Sequence, residues 1–467
     1  MIIGVLELAS KYKYGLTSRG APLYLFKPYD PALPDHVVGC SHRDTTVNQI
    51  AIVETSHQET VHNPPGSGNK IRGNLQRLIG PVGDLTAEKE ALLLFYNPAV
   101  VSKRRIDPIP EADQRYDTER QELSAATGWL TFHVDPPGCR DVDDALSFHP
   151  ESGKWAITIA DVAAAVPESC EVDASAAIKG TSFYDLEGRV LTPMLPAAIS
   201  EGSASLLPGS KKRGLTLFLD QDDEGPLLLP TWITVDTTYT YESVLLSPIA
   251  AEMQRVFGPS SGSSDPHKWI ETAMILYNAF VASLLAKAGS GLLRVQPPSP
   301  DLSVAPAHPA LAHLLQEAAT YETADVEFKA HTSLGLPVYC HATSPLRRYA
   351  DLVNQRVLHS IRIGAAHLTP LSSQKTVAAH LNDRTKAARR FGRDLTFLTH
   401  VTPGRVHEVT VIIMLDDKAY VPLWNRVIRL RHFMAPADNV PGAEIRIHVY
   451  CDPTQRNWKQ RILTASC

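Results

Sequence analysis

The chain has 467 residues, of which 44% are hydrophobic and 20% are charged, and its formal net charge is −5. This is the composition of a globular protein with roughly two to four domains, which excludes collagen-like and wholly disordered chains. The negative balance also excludes a uniformly basic surface, so any positive charge for a polyanion must be concentrated locally.

Residues 1–100 have the pattern of a small β-barrel. Four short strand-like stretches, MIIGVLEL, APLYLFKPY, QIAIVE and IRGNLQRLIG, are separated by turn-rich segments such as NPPGSGNK. The following LTAEKEALLLFY predicts a helix with Thr86 as its N-cap. Residues 101–127 are charged and contain two prolines, which predicts a linker with some helix.

Residues 128–400 mix strand and helix patterns. WLTFHV, WAITIADVAAAV and GLTLFLD predict strands, and HKWIETAMILYNAFVASLLAKAGSG predicts a helix with one apolar stripe. Three further helical patterns follow, in HPALAHLLQEAATY, SPLRRYADLVNQRVLHSIRIG and QKTVAAHLNDRTKAARRFGRDLTFL. Strand patterns return in residues 401–467 and predict a second, short barrel. The whole predicts an α+β fold in the order barrel, mixed body, barrel.

The six cysteines are scattered and form no C-x-x-C pair. We therefore expect free thiols, no zinc ribbon and an intracellular protein of the cytoplasm or nucleus. A short apolar run at the N-terminus has no basic residue before it, and no run of about 18 apolar residues occurs. We therefore expect neither a signal peptide nor a membrane span.

The stretch HVDPPGCRDVDDALSF places four aspartates within ten residues, namely Asp135, Asp141, Asp143 and Asp144. The PPG after the first aspartate predicts a turn, so the chain doubles back and the carboxylates can converge. Carboxylates are ligands that Mg²⁺ prefers, and one or two such ions polarise a phosphate. The alternatives are a solvated turn and a structural Ca²⁺ loop, although the EF-hand spacing is not met. Spacing alone leaves these alternatives open.

The second notable stretch is YCHATSPLRRYADLVNQR. Ser344 and Pro345 are suited to the cap and first turn of a helix, which would place Arg347 and Arg348 in that turn. Guanidinium groups at a helix N-terminus suit phosphate oxygens. The alternative is a surface arginine pair bonded to an acid such as Asp351.

Together, DPPGCRDVDDAL and TSPLRRYADLVNQR resemble the ribonuclease II (RNB) family of exoribonucleases. GLLRVQPPSP resembles a further segment of that family, and IRGNLQRLIGPVGDLTAEKEALLL resembles the barrel of its eukaryotic exosome-type branch. The resemblance implies an RNB catalytic body of mixed sheet and packed helices in 128–400. A cold-shock or OB-type barrel in 1–100 and a short OB-like barrel in 401–467 would flank it. We expect the N-terminal modules of exosome-type members to be absent.

The resemblance also implies an activity, namely Mg²⁺-dependent hydrolysis of single-stranded RNA from the 3′ end to nucleoside 5′-monophosphates. Two Mg²⁺ ions, with Mn²⁺ as a substitute, would be held by Asp135, Asp141, Asp143 and Asp144. Asp143, Asp144 and Arg347 would be catalytic, and Tyr184 would pack on the 3′-terminal nucleotide. We expect a monomer; association with a larger RNA-decay complex has no support in the sequence.

Basic residues are expected to line a path for RNA rather than coat the surface. Arg348, Arg389 and Arg390 are candidates for RNA contacts, as is Arg429 in the C-terminal barrel. The alternative is a solvated helix face and strand edge.

Two departures from the family pattern are visible. The body is shortened around GPSSGSSDP, so a partner of the tyrosine is expected to be missing, and Gly392 replaces a glutamate of bacterial members. The alternative function is a catalytically weak or inactive RNA-binding regulator, and a DNA-directed nuclease is a further rival.

Overall fold

The computed structural model describes most of the chain, namely residues 1–61, 70–98, 109–117, 119–219, 225–258, 262, 264–298, 308–314, 316–362, 371–401, 404–415, 417–430, 440–452 and 462–466. The predicted turn at 63–70 lies outside the described residues except for its last position. The first eight residues of the predicted linker, 101–108, also lie outside them.

The N-terminal strands close into a barrel in the order β1-β2-β3-β5-β4, as predicted. They are β1 (Ile2–Leu6), β2 (Leu23–Pro28), β3 (His36–Gly39), β4 (Gln49–Val61) and β5 (Lys70–Pro81). Helix α1 (Leu85–Tyr96) follows. Its N-cap is Asp84, whose carboxylate accepts a hydrogen bond from the Ala87 backbone N–H at 2.8 Å. The predicted cap, Thr86, is wrong because Asp84 captures this donor and the helix begins one residue before Thr86.

The central body is built on a seven-stranded sheet in the order β14-β7-β8-β9-β12-β13-β6. The strands of this part of the chain are β6 (Gln121–Leu123), β7 (Leu130–Val134), β8 (Asp144–His149), β9 (Lys154–Ala160), β10 (Phe183–Tyr184), β11 (Val190–Thr192), β12 (Lys212–Phe218), β13 (Leu227–Ile233), β14 (Thr237–Tyr239), β15 (Leu292–Val295) and β16 (Thr320–Thr323). β7, β8, β9, β12 and β13 pair antiparallel, whereas the edge strands β6 and β14 are parallel to their neighbours.

Strand β6 lies inside the predicted linker and pairs with β13, so the body begins before residue 128. A three-residue edge strand among charged residues is too short to show a period-2 pattern. Arg120, just before it, has no exposed side-chain surface and is held by an ion pair to Asp161 at 2.5 Å. The end of the predicted linker is therefore a packed part of the body.

The helices that pack on this sheet are α2 (Val162–Ala165), α3 (Glu171–Lys179), α4 (Tyr241–Val244), α5 (Ala250–Phe257), α6 (Pro266–Ala288), α7 (Tyr349–Arg362) and α8 (Leu371–His400). Residues 308–321 were predicted as a helix, but they form a short 3-10 turn, Pro309–Leu314, followed by β16. β16 pairs with β15, and this pairing overrides the helical pattern of the sequence.

Among the described residues, α6 is long and apolar enough to cross a membrane by length and composition alone. One face of α6 is buried against the sheet, with Trp269, Tyr277 and Leu285 in the core. The Tyr277 hydroxyl donates to the Leu215 carbonyl of β12 at 3.1 Å. This packing accounts for the apolar composition of the helix.

The C-terminal strands form a five-stranded antiparallel sheet in the order β19-β18-β17-β20-β21. They are β17 (Val406–Ile413), β18 (Lys418–Val421), β19 (Arg426–Arg429), β20 (Glu444–Cys451) and β21 (Ile462–Ser466). The described pairings do not close this sheet into the predicted barrel. A single core joins it to α8, α1 and the N-terminal barrel, through residues such as Val411, Leu395, Leu92 and Ile52. Both outer β units are thus fixed to the long helix of the body.

Candidate active site

The acidic stretch is the connection between β7 and β8. The Cys139 N–H donates to the Pro136 carbonyl at 3.2 Å, and Gly138 has a φ of +81°, in the region that favours glycine. The predicted turn is therefore confirmed. It returns the chain so that Asp135, at the end of β7, and Asp144, at the start of β8, border the same cavity.

A buried serine holds this loop in place. The Ser205 hydroxyl accepts a hydrogen bond from the Val142 N–H at 3.0 Å and donates to the Arg140 carbonyl at 2.7 Å. Because Ser205 is fully buried, water does not compete for these contacts. The loop around the aspartates is thus fixed from outside the motif, by a residue that the sequence did not single out.

Asp143 joins the two sequence motifs. Its carboxylate accepts a hydrogen bond from the Leu346 N–H at 2.8 Å and one from Nε of Arg347 at 3.2 Å. The two motifs are about 200 positions apart in the chain, and they meet at a carboxylate that is 6% exposed. These two hydrogen bonds to Asp143 fix the arginine turn beside the acidic loop.

The two arginines lie in a turn before α7 rather than in its first turn, since α7 begins at Tyr349. The prediction that Ser344 caps this helix is wrong, because α7 begins five residues later and the N–H of Ser344 donates to the Asp351 carboxylate at 2.7 Å. Arg348 also donates to this carboxylate, at 2.8 Å, which is the pairing considered as the alternative. Arg347 instead reaches Asp143 and is 45% exposed. The two neighbouring arginines therefore have different surroundings.

The acidic loop and the arginine turn border a cavity of about 350 Å³. Its lining includes the carboxylates of Asp135 and Asp144, the guanidinium groups of Arg347 and Arg348, and apolar residues of α6 such as Ile270. A lining with both charges and apolar residues is suited to a ligand with an anionic group and an apolar ring.

The carboxylates repel one another. Burial raises the pKa of Asp144 well above its usual range, and the neighbouring Asp135 and Asp143 raise it further. Burial also raises the pKa of Asp143, to about 7, although Arg347 opposes this effect. The pKa of Asp141 is raised by burial as well. The acidic loop is therefore an electrostatically strained site that a cation would relieve.

The residues present fit a divalent cation by their chemistry, because carboxylate oxygens are its preferred ligands and their mutual repulsion has little compensation. The described residues nevertheless contain no group of three or more His, Cys, Asp or Glu side chains placed to hold a metal ion. Asp143 is bonded to the arginine turn, and Asp135 is bonded to Nδ1 of His133 at 2.8 Å. The four-carboxylate metal centre thus stays a prediction.

Two tyrosines lie near the charged groups. Tyr184, on the β10–β11 hairpin, is half-buried, and burial raises its pKa to about 12, with Arg347 and Asp141 among its charged neighbours. Tyr241 begins α4 and lines the cavity. It stacks on His267 with a centroid separation of 3.7 Å and an interplanar angle of 20°.

Sequence reasoning missed Tyr241. The expected absence of an aromatic partner for Tyr184 stays a prediction, since the ring of Tyr241 stacks on His267. Parallel pairing of β14 with β7 brings residues 237–239 beside 132–134, which places Tyr241 next to Asp135. Burial raises the pKa of Tyr241 to about 12, and Asp135 and Asp144 add to the shift. The only local signal for Tyr241 in the sequence is the capping box at Thr240. It marks the start of a helix but does not show which residues lie beside that helix.

A second cavity, of about 310 Å³, shares Arg348 with the first. Arg389 of α8 lines it, together with Tyr321 and His341. Arg390 and Arg429 are exposed, and neither lines these two cavities. Of the predicted RNA-contacting arginines, Arg348 and Arg389 therefore share the second cavity, whereas Arg390 and Arg429 lie outside both cavities.

Comparisons with known proteins agree with this arrangement. The model of the RNB domain matches residues 120–247 and 305–363, which include both motifs. Human exosome complex exonuclease RRP44 is 24% identical over 535 aligned positions, covering 90% of this chain and 54% of RRP44. Ribonuclease R of Chlamydia muridarum is 28% identical over 342 positions, covering 54% of this chain and 49% of that protein. The chain thus spans about half the length of these relatives.

Solved structures share the fold. The apo form of Mycoplasma genitalium RNase R superposes with a TM-score of 0.69 at 17% identity, covering all of this chain and 90% of that one. Yeast Ssd1, described as a pseudonuclease, superposes with a TM-score of 0.66 at 16% identity, covering 96% of this chain and 67% of Ssd1. The match to the RNB domain thus includes both motifs that meet at the cavity, and the chain is similar to RNB-domain exoribonucleases over this region.

Proposed function

We propose that the chain is a divalent-metal-dependent, hydrolytic 3′-to-5′ exoribonuclease that degrades single-stranded RNA to nucleoside 5′-monophosphates. The observation that carries the proposal is the bond of Asp143 to the arginine turn, which assembles carboxylates and guanidinium groups around one cavity. The relatives named as exoribonucleases support it. RNase R of Mycoplasma genitalium has also been solved with ribose-methylated single-stranded RNA and with double-stranded RNA.

Arg347 is the residue best placed to contact a phosphate. Its guanidinium uses one N–H toward Asp143 and one toward the Ser344 hydroxyl, at 3.2 and 2.9 Å. A guanidinium has five N–H groups, so donors remain for a phosphate in the cavity. Because Asp143 fixes the orientation of Arg347, its charge is already in place when negative charge develops on the phosphate. Arg348, tied to Asp351, contributes a second positive charge to the wall.

Asp135 and Asp144 would hold the metal, with Asp141 and Asp143 as the further predicted ligands. Mg²⁺ is the proposed ion and Mn²⁺ its substitute, since both accept carboxylate oxygens. A bound divalent ion supplies Lewis-acid polarisation of the phosphate and activation of a water molecule. The chain's own part is to hold these carboxylates close together at a cavity wall, despite their repulsion.

The aromatic residues account for the proposed preference for single strands. Tyr184 and Tyr241 both lie within reach of the acidic loop, and rings of this kind stack on unpaired bases. Arg348 and Arg389 in the second cavity are suited to the phosphates of the nucleotides that follow.

A second candidate is an RNA-binding protein without catalysis. Two observations favour it: no described group of ligand-type side chains is arranged to hold a metal ion, and the fold is shared with the pseudonuclease Ssd1. Against it, all four predicted metal carboxylates are present. Repulsion among uncompensated carboxylates has no evident purpose in a protein that binds no cation.

The test uses a 5′-labelled single-stranded RNA with Mg²⁺, with and without EDTA. We expect a ladder that shortens from the 3′ end and is lost with EDTA and with Asp144→Asn. Glu151→Gln is the matched control. It also removes one negative charge, but Glu151 is exposed on the hairpin between β8 and β9. RNA that stays intact but is bound by the wild-type protein would instead establish the second candidate.

A further inference from the structure

His133 lies on β7, two residues before Asp135, and is 5% exposed. Side chains two apart on a strand share a face, so the imidazole lies beside the carboxylate. Its Nδ1 is 2.8 Å from Oδ2 of Asp135. Because the acceptor is a carboxylate, Nδ1 carries the proton and donates it.

The other ring nitrogen makes no compensating contact. Nε2 of His133 is buried and has no hydrogen-bond partner among the described residues. A buried polar atom without a partner destabilises the folded state, because its hydration is lost without a replacement hydrogen bond. A leucine of similar size would avoid that cost, so the imidazole is retained for the contact that its other nitrogen makes. That contact is with Asp135.

Asp135 needs such a constraint. Its backbone is fixed by the N–H bond to the Tyr239 carbonyl at 3.1 Å, but its side chain borders an open cavity and faces Asp144. Repulsion from Asp144 would turn an unrestrained carboxylate toward solvent. The bond from His133 opposes that rotation and occupies one of the two carboxylate oxygens.

We propose that His133 is a positioning residue that orients Asp135 as a ligand for the divalent cation, through the hydrogen bond of its imidazole to Oδ2. This inference deepens the proposed function and rests on it. Hydrogen bonds to ligating groups of this kind typically change metal affinity by about 10- to 100-fold. The effect falls on metal binding and not on the RNA contacts.

The experiment measures Mn²⁺ binding to the full chain by isothermal titration calorimetry, without RNA. Three variants are compared. His133→Leu fills the space without a donor, and His133→Asn keeps a donor near the position of Nδ1. Thr131→Val is the matched control, since Thr131 lies on the same face of β7 and bonds to Ser147, away from the aspartates.

We expect His133→Leu to weaken Mn²⁺ binding about 10- to 100-fold. His133→Asn and Thr131→Val should stay within about threefold of the wild type, because both keep a donor to Asp135. The half-saturating Mg²⁺ for RNA cleavage should rise in parallel, while the rate at saturating Mg²⁺ changes little. Urea unfolding of the metal-free variants shows whether a loss of Mn²⁺ binding reflects a loss of folding. If the leucine variant is unfolded, the Mn²⁺ affinity of the asparagine variant is compared with that of the wild type.

Wild-type Mn²⁺ affinity in His133→Leu, or equal losses in the leucine and asparagine variants, would overturn the positioning role and leave the nuclease proposal intact. Wild-type protein that binds Mn²⁺, loses it with His133→Leu and yet cleaves no RNA would overturn the nuclease proposal alone. Wild-type protein that binds no Mn²⁺ would overturn both.

Discussion

Two carboxylates lie at the same end of two neighbouring central strands, and their surroundings have opposite effects on their pKa values. Asp144 begins β8 and Asp161 follows the end of the antiparallel neighbour β9. Burial and two neighbouring aspartates raise the pKa of Asp144 well above its usual range. Burial would also raise the pKa of Asp161, but His359 and Arg120 outweigh it and hold that pKa far below its usual range.

The difference lies in what each carboxylate contacts. Asp161 accepts hydrogen bonds from Arg120 at 2.5 Å and from Nε2 of His359 at 2.9 and 3.0 Å, and the ring of His359 stacks on Tyr116. Asp144 has like charges as neighbours, with Arg347 as the opposing one. The charge of Asp161, which stabilises the fold, is neutralised by side chains of the protein itself. The charge of Asp144, which we assign to ligand binding, is only partly neutralised.

The largest expected effect is on catalysis. Asp144→Asn should lower the rate of RNA cleavage by about 1000-fold or more, because it removes several kcal/mol of transition-state stabilisation by the metal site. The fold should survive, since the substitution also removes a repelled charge. Single-turnover cleavage and circular dichroism together check this, and near-normal cleavage would remove Asp144 from the metal site.

Removing the partner of the compensated carboxylate should instead affect the fold. Arg120→Met removes the guanidinium partner of the buried Asp161 carboxylate, so we expect a loss of roughly 3–5 kcal/mol in the free energy of unfolding. Arg255→Met is the control, since its pair with Glu252 is exposed and is worth at most about 1 kcal/mol. Urea denaturation measures both. Equal losses would mean that burial does not distinguish the two ion pairs.

A smaller effect is expected in the pH dependence of the metal-free protein. The pKa of Asp143 is raised to about 7 in the folded state, against about 3.9 in an unfolded chain. Between these values the folded state holds a proton that the unfolded state has released, so stability falls as pH rises through this window. In EDTA, Asp143→Asn should lose less stability from pH 5 to pH 8 than the wild type, by about 2–3 kcal/mol.

Urea denaturation at four pH values in EDTA measures this difference, with Glu151→Gln as the exposed control. Saturating Mg²⁺ should reduce the pH dependence of the wild type, because a bound cation stabilises the ionised carboxylates. Parallel curves for the wild type and Asp143→Asn would show that Asp143 is already ionised without metal.

The smallest effect separates two adjacent arginines of α8. Both arginines are exposed, but Arg389 lines the second cavity with Arg348, whereas Arg390 lines neither described cavity. Arg389→Ala should weaken single-stranded RNA binding a few-fold and reduce the slope of log affinity against log salt by about one, whereas Arg390→Ala should change neither. Fluorescence anisotropy in the Asp144→Asn background measures both. Equal effects would place the RNA path elsewhere.

Sequence reasoning anticipated the features with a strong local pattern, namely the N-terminal barrel, the long helices α6 and α8, and the turn in the acidic loop. It failed where distant contacts decide the structure. Asp351 captures the N–H of Ser344, which moves the start of α7 past the arginines. The β14–β7 pairing places Tyr241 beside Asp135, and no local pattern predicts a contact across about 100 residues.

The most direct measurement identifies the first product released from a single-stranded RNA labelled at its 3′-terminal nucleotide, with Mg²⁺ and the wild-type protein. The account predicts a labelled nucleoside 5′-monophosphate as the first product, absent with EDTA and with Asp144→Asn. Release of a cyclic phosphate, or release that survives EDTA, would contradict hydrolysis by a metal held at Asp135 and Asp144.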